Sequence, residues 1–424
     1  MFQNKIFARF SHPYYLVFAG KWLLISMVVG SLAGSASALF LYLLEAATQW
    51  REDHAWVIGL LPIAGLLIAA LYHYWGQEVV KGNNQLLEEV ENPQKIIPLK
   101  MAPLVLATTV LTHLFGGSAG REGTAVQMGG AVADQFTRLL RLKNRDRRLL
   151  IVCGISAGFA SVFGTPLAGA VFAIEVLVIG RLRYDAIIPS LFAALVADYV
   201  CRLYPIHHTH YTMGPVPALD AVTFLWAVVA GIAFGLAAWL FSGAMHQTAA
   251  LFAARIRQPL LRPVLGGVLV AGFVLLSGST RYIGLGIPVL VESFTTRQEY
   301  HVFLLKIALT VITLGSGFKG GEVTPLFFIG ATLGSALSGL LPLPVGLLAG
   351  MGLVAVFAGA ANTPLACTLL GLELFGMAAG PYLATASFIA YVFSGHTGIY
   401  RSQIIGGAKH PFFIRQQNRK LKDL

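Results

Sequence analysis

Gly117-Ser118-Ala119-Gly120-Arg121-Glu122-Gly123-Thr124 is the stretch on which the reading of this chain turns. It lies between two apolar segments. It sets a carboxylate, a guanidinium and three glycines where a bilayer ordinarily tolerates none of them. An ionisable residue at membrane depth is costly and marks function by default. Glycine lets backbone approach a ligand closely, and the run from Thr124 onward reads as a helix start. Unpaired N–H groups and the positive end of the dipole make such a start an anion site. Glu122 then has two uses: it occupies that site itself, or it leaves and admits an anion. A salt bridge to Arg121 is the structural alternative, weakened because adjacent side chains on regular backbone point apart. A carboxylate held between burial and helix N-termini is also suited to exchanging protons.

Working outward, the 424 residues are 56% hydrophobic and 12% charged, about half the charge of an average soluble domain. An all-α polytopic membrane protein follows. No cleaved signal is expected, and residues 1–15 read as an interfacial lead-in to the membrane. Of the net charge of +11, much sits at Arg138–Arg148, at Arg181 and Arg183, and from Arg401 to Lys422. Next to hydrophobic spans these runs fit the positive-inside rule better than nucleic-acid binding, and they put both termini on the cytoplasmic side. Cys153, Cys201 and Cys367 read as small buried hydrophobes. His207, His208 and His210 read as a surface loop, with a metal site as the alternative.

Candidate spans fall at 20–50, 56–75, 101–115, 124–141, 149–179, 185–204, 218–243, 262–279, 301–315, 325–341, 344–360, 363–379 and 381–395. Several are shorter than the roughly 20 residues a straight spanning helix needs. Breaks such as Gly164-Thr165-Pro166 and Asn362-Thr363-Pro364 survive in a membrane only where freed backbone is packed or lines a cavity. Thr165-Pro166-Leu167-Ala168 and its Glu175 recur 198 positions later as Thr363-Pro364-Leu365-Ala366 and Glu373. At the same offset Gly117-Ser118 maps on Gly315-Ser316, and the second copy runs on to Gly320-Gly321-Glu322-Val323-Thr324-Pro325. The chain is therefore an internal repeat. The basic loop at Arg141–Arg148 has an uncharged counterpart at Leu340–Gly346. Opposite sides of the membrane explain that difference, so the repeat is read as inverted. The expected division is an N-terminal segment 1–15, halves at 16–215 and 216–405, and a basic tail 406–424, with no large soluble domain.

The second break supplies Glu322 and Thr324. Thr324 suits an N-cap before Pro325, and Glu322 either faces an anion or complements the helix dipole. Lys319 reads as a rim charge. Asn83, after Gly82, offers an amide donor to an anion or else caps a helix. Tyr400 offers a neutral hydroxyl at the cytoplasmic mouth, or sits as an interfacial aromatic. Gly154-Ile155-Ser156-Ala157-Gly158 fits a nucleophile elbow, but it opens an apolar helix with no histidine near it in the chain. A hydrolase using Ser156 is the remote alternative.

The Gly120-Arg121-Glu122-Gly123 run, the paired Thr-Pro-Leu-Ala hairpins and the late Tyr400 closely resemble the CLC family of anion channels and proton-coupled antiporters. The resemblance covers residues 20 to 405. It implies a homodimer with one pore per subunit, tilted and broken helices in an inverted repeat, Glu122 as the gating glutamate, and no cofactor or metal. The departures are specific. Gly82-Asn83-Asn84 stands where a serine motif serves chloride, and Thr124 replaces proline after the gating motif. Gly-Gly-Glu-Val-Thr-Pro stands in the second half, and Val176 follows Glu175 in place of a second glutamate. Together these resemble the fluoride-specific CLC-F branch of bacteria, implying an inner-membrane antiporter of F⁻ and H⁺. By that resemblance Asn83, Glu122, Glu322, Thr324 and Tyr400 form the pathway, with Gly120, Arg121, Gly123 and Thr124 around it. A chloride-type antiporter or channel is the second reading. Small, strongly hydrated fluoride needs compact, strong donors to replace its water, which amide, hydroxyl and backbone N–H supply.

Overall fold

Long apolar runs can satisfy their backbone inside a bilayer only as helices, and the computed structural model of this chain describes residues 12–424 as almost nothing else. Residues 1–11 of the interfacial segment expected over 1–15 lie outside the described residues. The helices run α1 His12–Asp53, α2 Leu61–Tyr74, α3 Asn83–Glu91, α4 Met101–Leu114, α5 Glu122–Leu139, α6 Asn144–Phe163, α7 Pro166–Glu175 and α8 Ile187–Arg202. They continue with α9 Ala221–Arg255, α10 Leu261–Ser277, α11 Ile287–Glu292, α12 Tyr300–Ser316, α13 Val323–Leu337, α14 Val345–Ala361, α15 Pro364–Phe375 and α16 Gly380–Phe393. Two-residue strands β1 Val178–Ile179 and β2 Ile404–Ile405 pair in parallel and tie the tail to the end of α7.

Among the described residues four stretches, Leu16–Asp53, Ala55–Tyr74, Tyr184–Arg202 and Ala221–Arg255, are long and apolar enough to cross a membrane. Of the helices that carry the repeat, α7, α13, α14 and α15 are shorter, at 10, 15, 17 and 12 residues. At 1.5 Å rise per residue they stop inside the hydrocarbon layer, so their ends must be enclosed by protein. α14 is buried along nearly its whole length and crosses α13 at Gly330 and Gly352. A Cβ on either glycine would come within 2.0 Å of the other's carbonyl oxygen. Small residues permit this close crossing where no water drives helices together.

The two halves meet at their breaks. Gly120 and Gly321 exchange backbone hydrogen bonds as an antiparallel pair, at 2.6 and 2.8 Å. From there α5 and α13 leave toward opposite ends of α1. The loop after α5 returns to the start of α1, where Lys21 pairs with Asp146. The end of α13 instead meets the 296–298 turn through Ser335, and Gln298 there joins Arg281, which lines one cavity with Thr48, Arg51 and Glu52 at the far end of α1.

A second reciprocal contact obeys the same symmetry. Glu175 accepts from the N–H groups of Leu365 and Ala366 at 3.0 and 2.7 Å, and Glu373 accepts from Leu167 and Ala168 at 2.9 and 2.8 Å. Each hairpin thus caps the other's first turn with a glutamate from the last turn of its own short helix. The stretch 149–179, read as one span, is this hairpin of α6 and α7, turned at Gly164.

Three local readings are corrected. α5 begins at Glu122, two residues before Thr124. Glu322, not Thr324, occupies the N-cap position of α13, and no side chain caps that end. Ser156 lies in the middle of α6 rather than at a helix start, fully buried, with its hydroxyl donating to the Ser190 carbonyl at 2.8 Å.

Candidate functional site

Because the breaks are joined at Gly120 and Gly321, the first turn of α5 lies beside the first turn of α13. Gly321 is required there for space. A Cβ would stand 2.8 Å from the Gly123 nitrogen and 3.2 Å from the Glu122 nitrogen.

Glu122 is 1% exposed. One carboxylate oxygen accepts the Thr324 backbone N–H at 3.1 Å and the Arg121 backbone N–H at 3.1 Å. The other accepts the Thr324 hydroxyl. Each hydrogen bond to a charged group contributes about 1.5–3 kcal/mol when both partners are desolvated. The carboxylate of one half therefore fills the anion position offered by the helix start of the other. Thr324 serves as a donor of two groups into that position rather than as a cap.

Arg121 does not point away from Glu122. Its Nε stands 3.7 Å from the carboxylate, because Arg121 adopts φ −120° and ψ −25° before the helix and neither extended nor helical geometry applies. At that length the contact is an ion pair without a hydrogen bond, and the Arg121 Nε is buried without a partner.

The remaining expected residues divide into two groups. Asn83, Glu322 and Tyr400 line one cavity of about 170 Å³, together with Gln127 and Lys319. Gly82 holds the N-cap position of α3 with φ +55°, and Asn83 is the first helical residue. The Asn83 amide nitrogen lies 2.8 Å from where a Gly123 Cβ would be, so the glycine admits the amide to the start of α5. One Glu322 carboxylate oxygen and the Asn83 amide oxygen are buried without partners. Lys319, read as a rim charge, lines this cavity with its ammonium 4.2 Å from the centre of the Tyr72 ring. Thr124, by contrast, is turned away from the anion position, and its hydroxyl bonds that of Thr109 at 2.8 Å.

The opposite face of Glu122 opens on a cavity of about 10 Å³ lined by Arg121, Glu122, His208, Tyr211 and Thr324. Of the three histidines expected in a surface loop, His207 and His210 are exposed, whereas the His208 ring turns its Nε2 inward. Among the described residues no group of three metal-binding side chains is assembled.

Sequence reading also missed a set of buried cations behind the first break. Lys306 is fully buried and donates to the carbonyls of Tyr282 and Gly284 at 3.1 and 2.8 Å. Arg51 donates to the His113 carbonyl at 2.8 Å, and a His113 ring nitrogen lies 3.4 Å from the Gly120 carbonyl oxygen. These contacts brace the loop whose Gly284 N–H bonds the Gly117 carbonyl. A lysine among apolar residues could have signalled this, but its carbonyl partners lie 22 and 24 residues away.

A family model described as voltage gated chloride channel matches residues 64–395, most of the chain. The chain belongs to this family, the CLC family. CLC proteins are transporters and not enzymes, and they use no cofactor. A chloride/fluoride channel protein of Pseudomonas syringae pv. tomato is 54% identical over 93% of this chain and 89% of its own length. An H⁺/Cl⁻ exchange transporter of Vibrio parahaemolyticus is 26% identical over 99% of this chain and 93% of its own. Among solved structures, a crystal structure of a CLC-type fluoride/proton antiporter superimposes with a TM-score of 0.88 and 37% identity, covering 91% of this chain and 98% of that one. A slow cyanobacterial Cl⁻/H⁺ antiporter shares the CLC fold at a TM-score of 0.76 and 21% identity, over 88% and 94% of the two chains. This CLC protein is thus a multi-pass membrane protein of a family whose members are fluoride or chloride channels and antiporters.

Proposed function

We propose that this protein is a fluoride/proton antiporter of the CLC-F branch, expelling F⁻ from the cytoplasm against inward H⁺. The observation that carries the reading is the placement of two carboxylates on one path. Glu122 fills the anion position at the start of α13, and Glu322 lies on the cavity behind it with Asn83 and Tyr400. A channel for anions alone gains nothing from a second carboxyl group beside the path. A proton carried by each makes the path passable to an anion in turn.

In this reading a proton on Glu122 ends its hold on the Thr324 donors. The side chain swings out, and fluoride takes the vacated N–H and hydroxyl. Glu322 accepts the proton on the inner side, and Asn83 and Tyr400 supply neutral donors to the dehydrated anion. Gly120 and Gly123 give the backbone room, and Arg121 holds the outer side of the site. Thr124 supports the first turn of α5 from behind. The protein acts as a homodimer with a pore in each subunit, in the bacterial inner membrane with both termini cytoplasmic. The pore is built from halves at 16–215 and 216–405. Similarity to the fluoride/proton antiporter and to the chloride/fluoride channel protein supports the anion.

Fluoride and chloride efflux from proteoliposomes, with proton uptake recorded together, tests the reading. Fluoride efflux well above chloride, with protons entering, is expected. Faster chloride efflux with proton exchange would assign the chloride-type antiporter instead.

A further inference from the structure

We propose that His208 is a proton relay, carrying protons between the water outside and Glu122. The inference rests on the antiport reading above and adds a residue to it. His208 shares with Glu122 the cavity of about 10 Å³, room for about one water molecule. Its Nε2 is buried and has no hydrogen-bond partner among the described residues. A ring nitrogen in that position, with a single water beside it, can reach a carboxylate that, among the described residues, accepts only from Arg121 and Thr324. The ring is held in place by packing. His208 lies against the left-handed turn at Gly164, where a Cβ would come 2.8 Å from the imidazole Cδ2. Arg202 donates to the Gly164 carbonyl at 3.1 Å and fixes that turn.

The charged and titratable groups around the ring are Arg121, the Arg202–Asp198 pair at 2.9 Å, Tyr211 and Glu122. Burial, and after it the Arg121 charge, hold the imidazole below the usual histidine range. At neutral pH the ring is therefore uncharged and free to accept a proton. The transfer conserves protons. With Nδ1–H held by the Val162 carbonyl, an external proton that reaches the cavity water adds to the free Nε2. Nε2 then returns a proton through the same water to a Glu122 oxygen, which leaves the ring in its starting tautomer without turning. Arg121, beside both groups, opposes a long-lived imidazolium and keeps the relay moving toward the carboxylate.

The test uses full-length protein in liposomes, with fluoride and proton fluxes recorded for wild type, His208→Ala and His208→Gln. The relay predicts that exchange falls ~10²-fold in both variants, as for loss of a positioned proton-transfer group, while the fluoride KM measured from the inside stays the same. It further predicts that free imidazole added outside restores exchange in His208→Ala, where the ring has left space. Imidazole added outside wild type should have no effect. Wild-type exchange rates in both variants would overturn the relay. So would a slowed His208→Ala that external imidazole does not restore while its elution on size exclusion is unchanged. If wild type itself moves fluoride without protons, the antiport reading fails, and that outcome is separate from the behaviour of the variants.

Discussion

Thr324 donates both its N–H and its hydroxyl to Glu122, and in the proposed cycle the same two groups serve fluoride when the carboxylate leaves. Thr324→Val keeps the shape and the N–H but removes the hydroxyl. Loss of a donor to a charged partner costs about 1.5–3 kcal/mol, which is roughly 10- to 100-fold in rate. Fluoride efflux from liposomes should fall by that factor, and Thr324→Ser should recover most of it. Glu122→Gln should abolish proton movement, because the amide cannot cycle a proton; a proton flux equal to wild type would remove Glu122 from its role. At Gly321 the expectation is steric. A methyl group there meets backbone nitrogens of the other half, so Gly321→Ala should cost about 1–3 kcal/mol, read as a lower melting temperature in detergent.

The residue scale was only partly legible in the sequence. Glu122 announced itself because a carboxylate between apolar spans has few structural uses. His208 and Lys306 did not, since their roles depend on carbonyls and cavities set by distant loops. The turn of Thr124 toward Thr109 also depends on helix phase, which moved when α5 proved to start at Glu122.

Among the elements, the paired hairpins matter most. Glu175 and Glu373 each lie in the last turn of one short helix and cap the other, a charge at a helix start contributing about 0.3–2 kcal/mol. Replacing Glu175 with glutamine turns an amide NH₂ toward an N–H donor at one of the two contacts. Thermal unfolding should therefore show Glu175→Gln less stable by ~1 kcal/mol, with fluoride selectivity unchanged. An unaltered melting temperature would show the cap to be without consequence. Each Thr-Pro-Leu-Ala copy and its glutamate were visible as a repeat at one offset. That the two copies cap each other was not, because a one-dimensional offset carries no contact.

For the molecule as a whole, the repeat is legible in motifs at one offset, and its inversion in charge alone: a basic loop after one copy and an uncharged loop after the other. The helices then leave Gly120 and Gly321 toward opposite ends of α1, as that asymmetry requires. Sidedness in the bilayer has its own check. A cysteine placed by Phe412→Cys in the exposed tail should react with a membrane-impermeant thiol reagent only from the cytoplasmic side, and one placed by Leu340→Cys only from outside. The three native cysteines are buried and should stay silent.

The central claim is that anion and proton share one route through Glu122. Its most direct measurement gives proteoliposomes an outward fluoride gradient, with no pH gradient and the voltage clamped at zero by a potassium ionophore, and follows the internal pH. With anion and proton coupled, fluoride leaving downhill drives protons inward until the interior is more acidic than the medium. Fluoride leaving at the same rate while internal pH stays constant would contradict it.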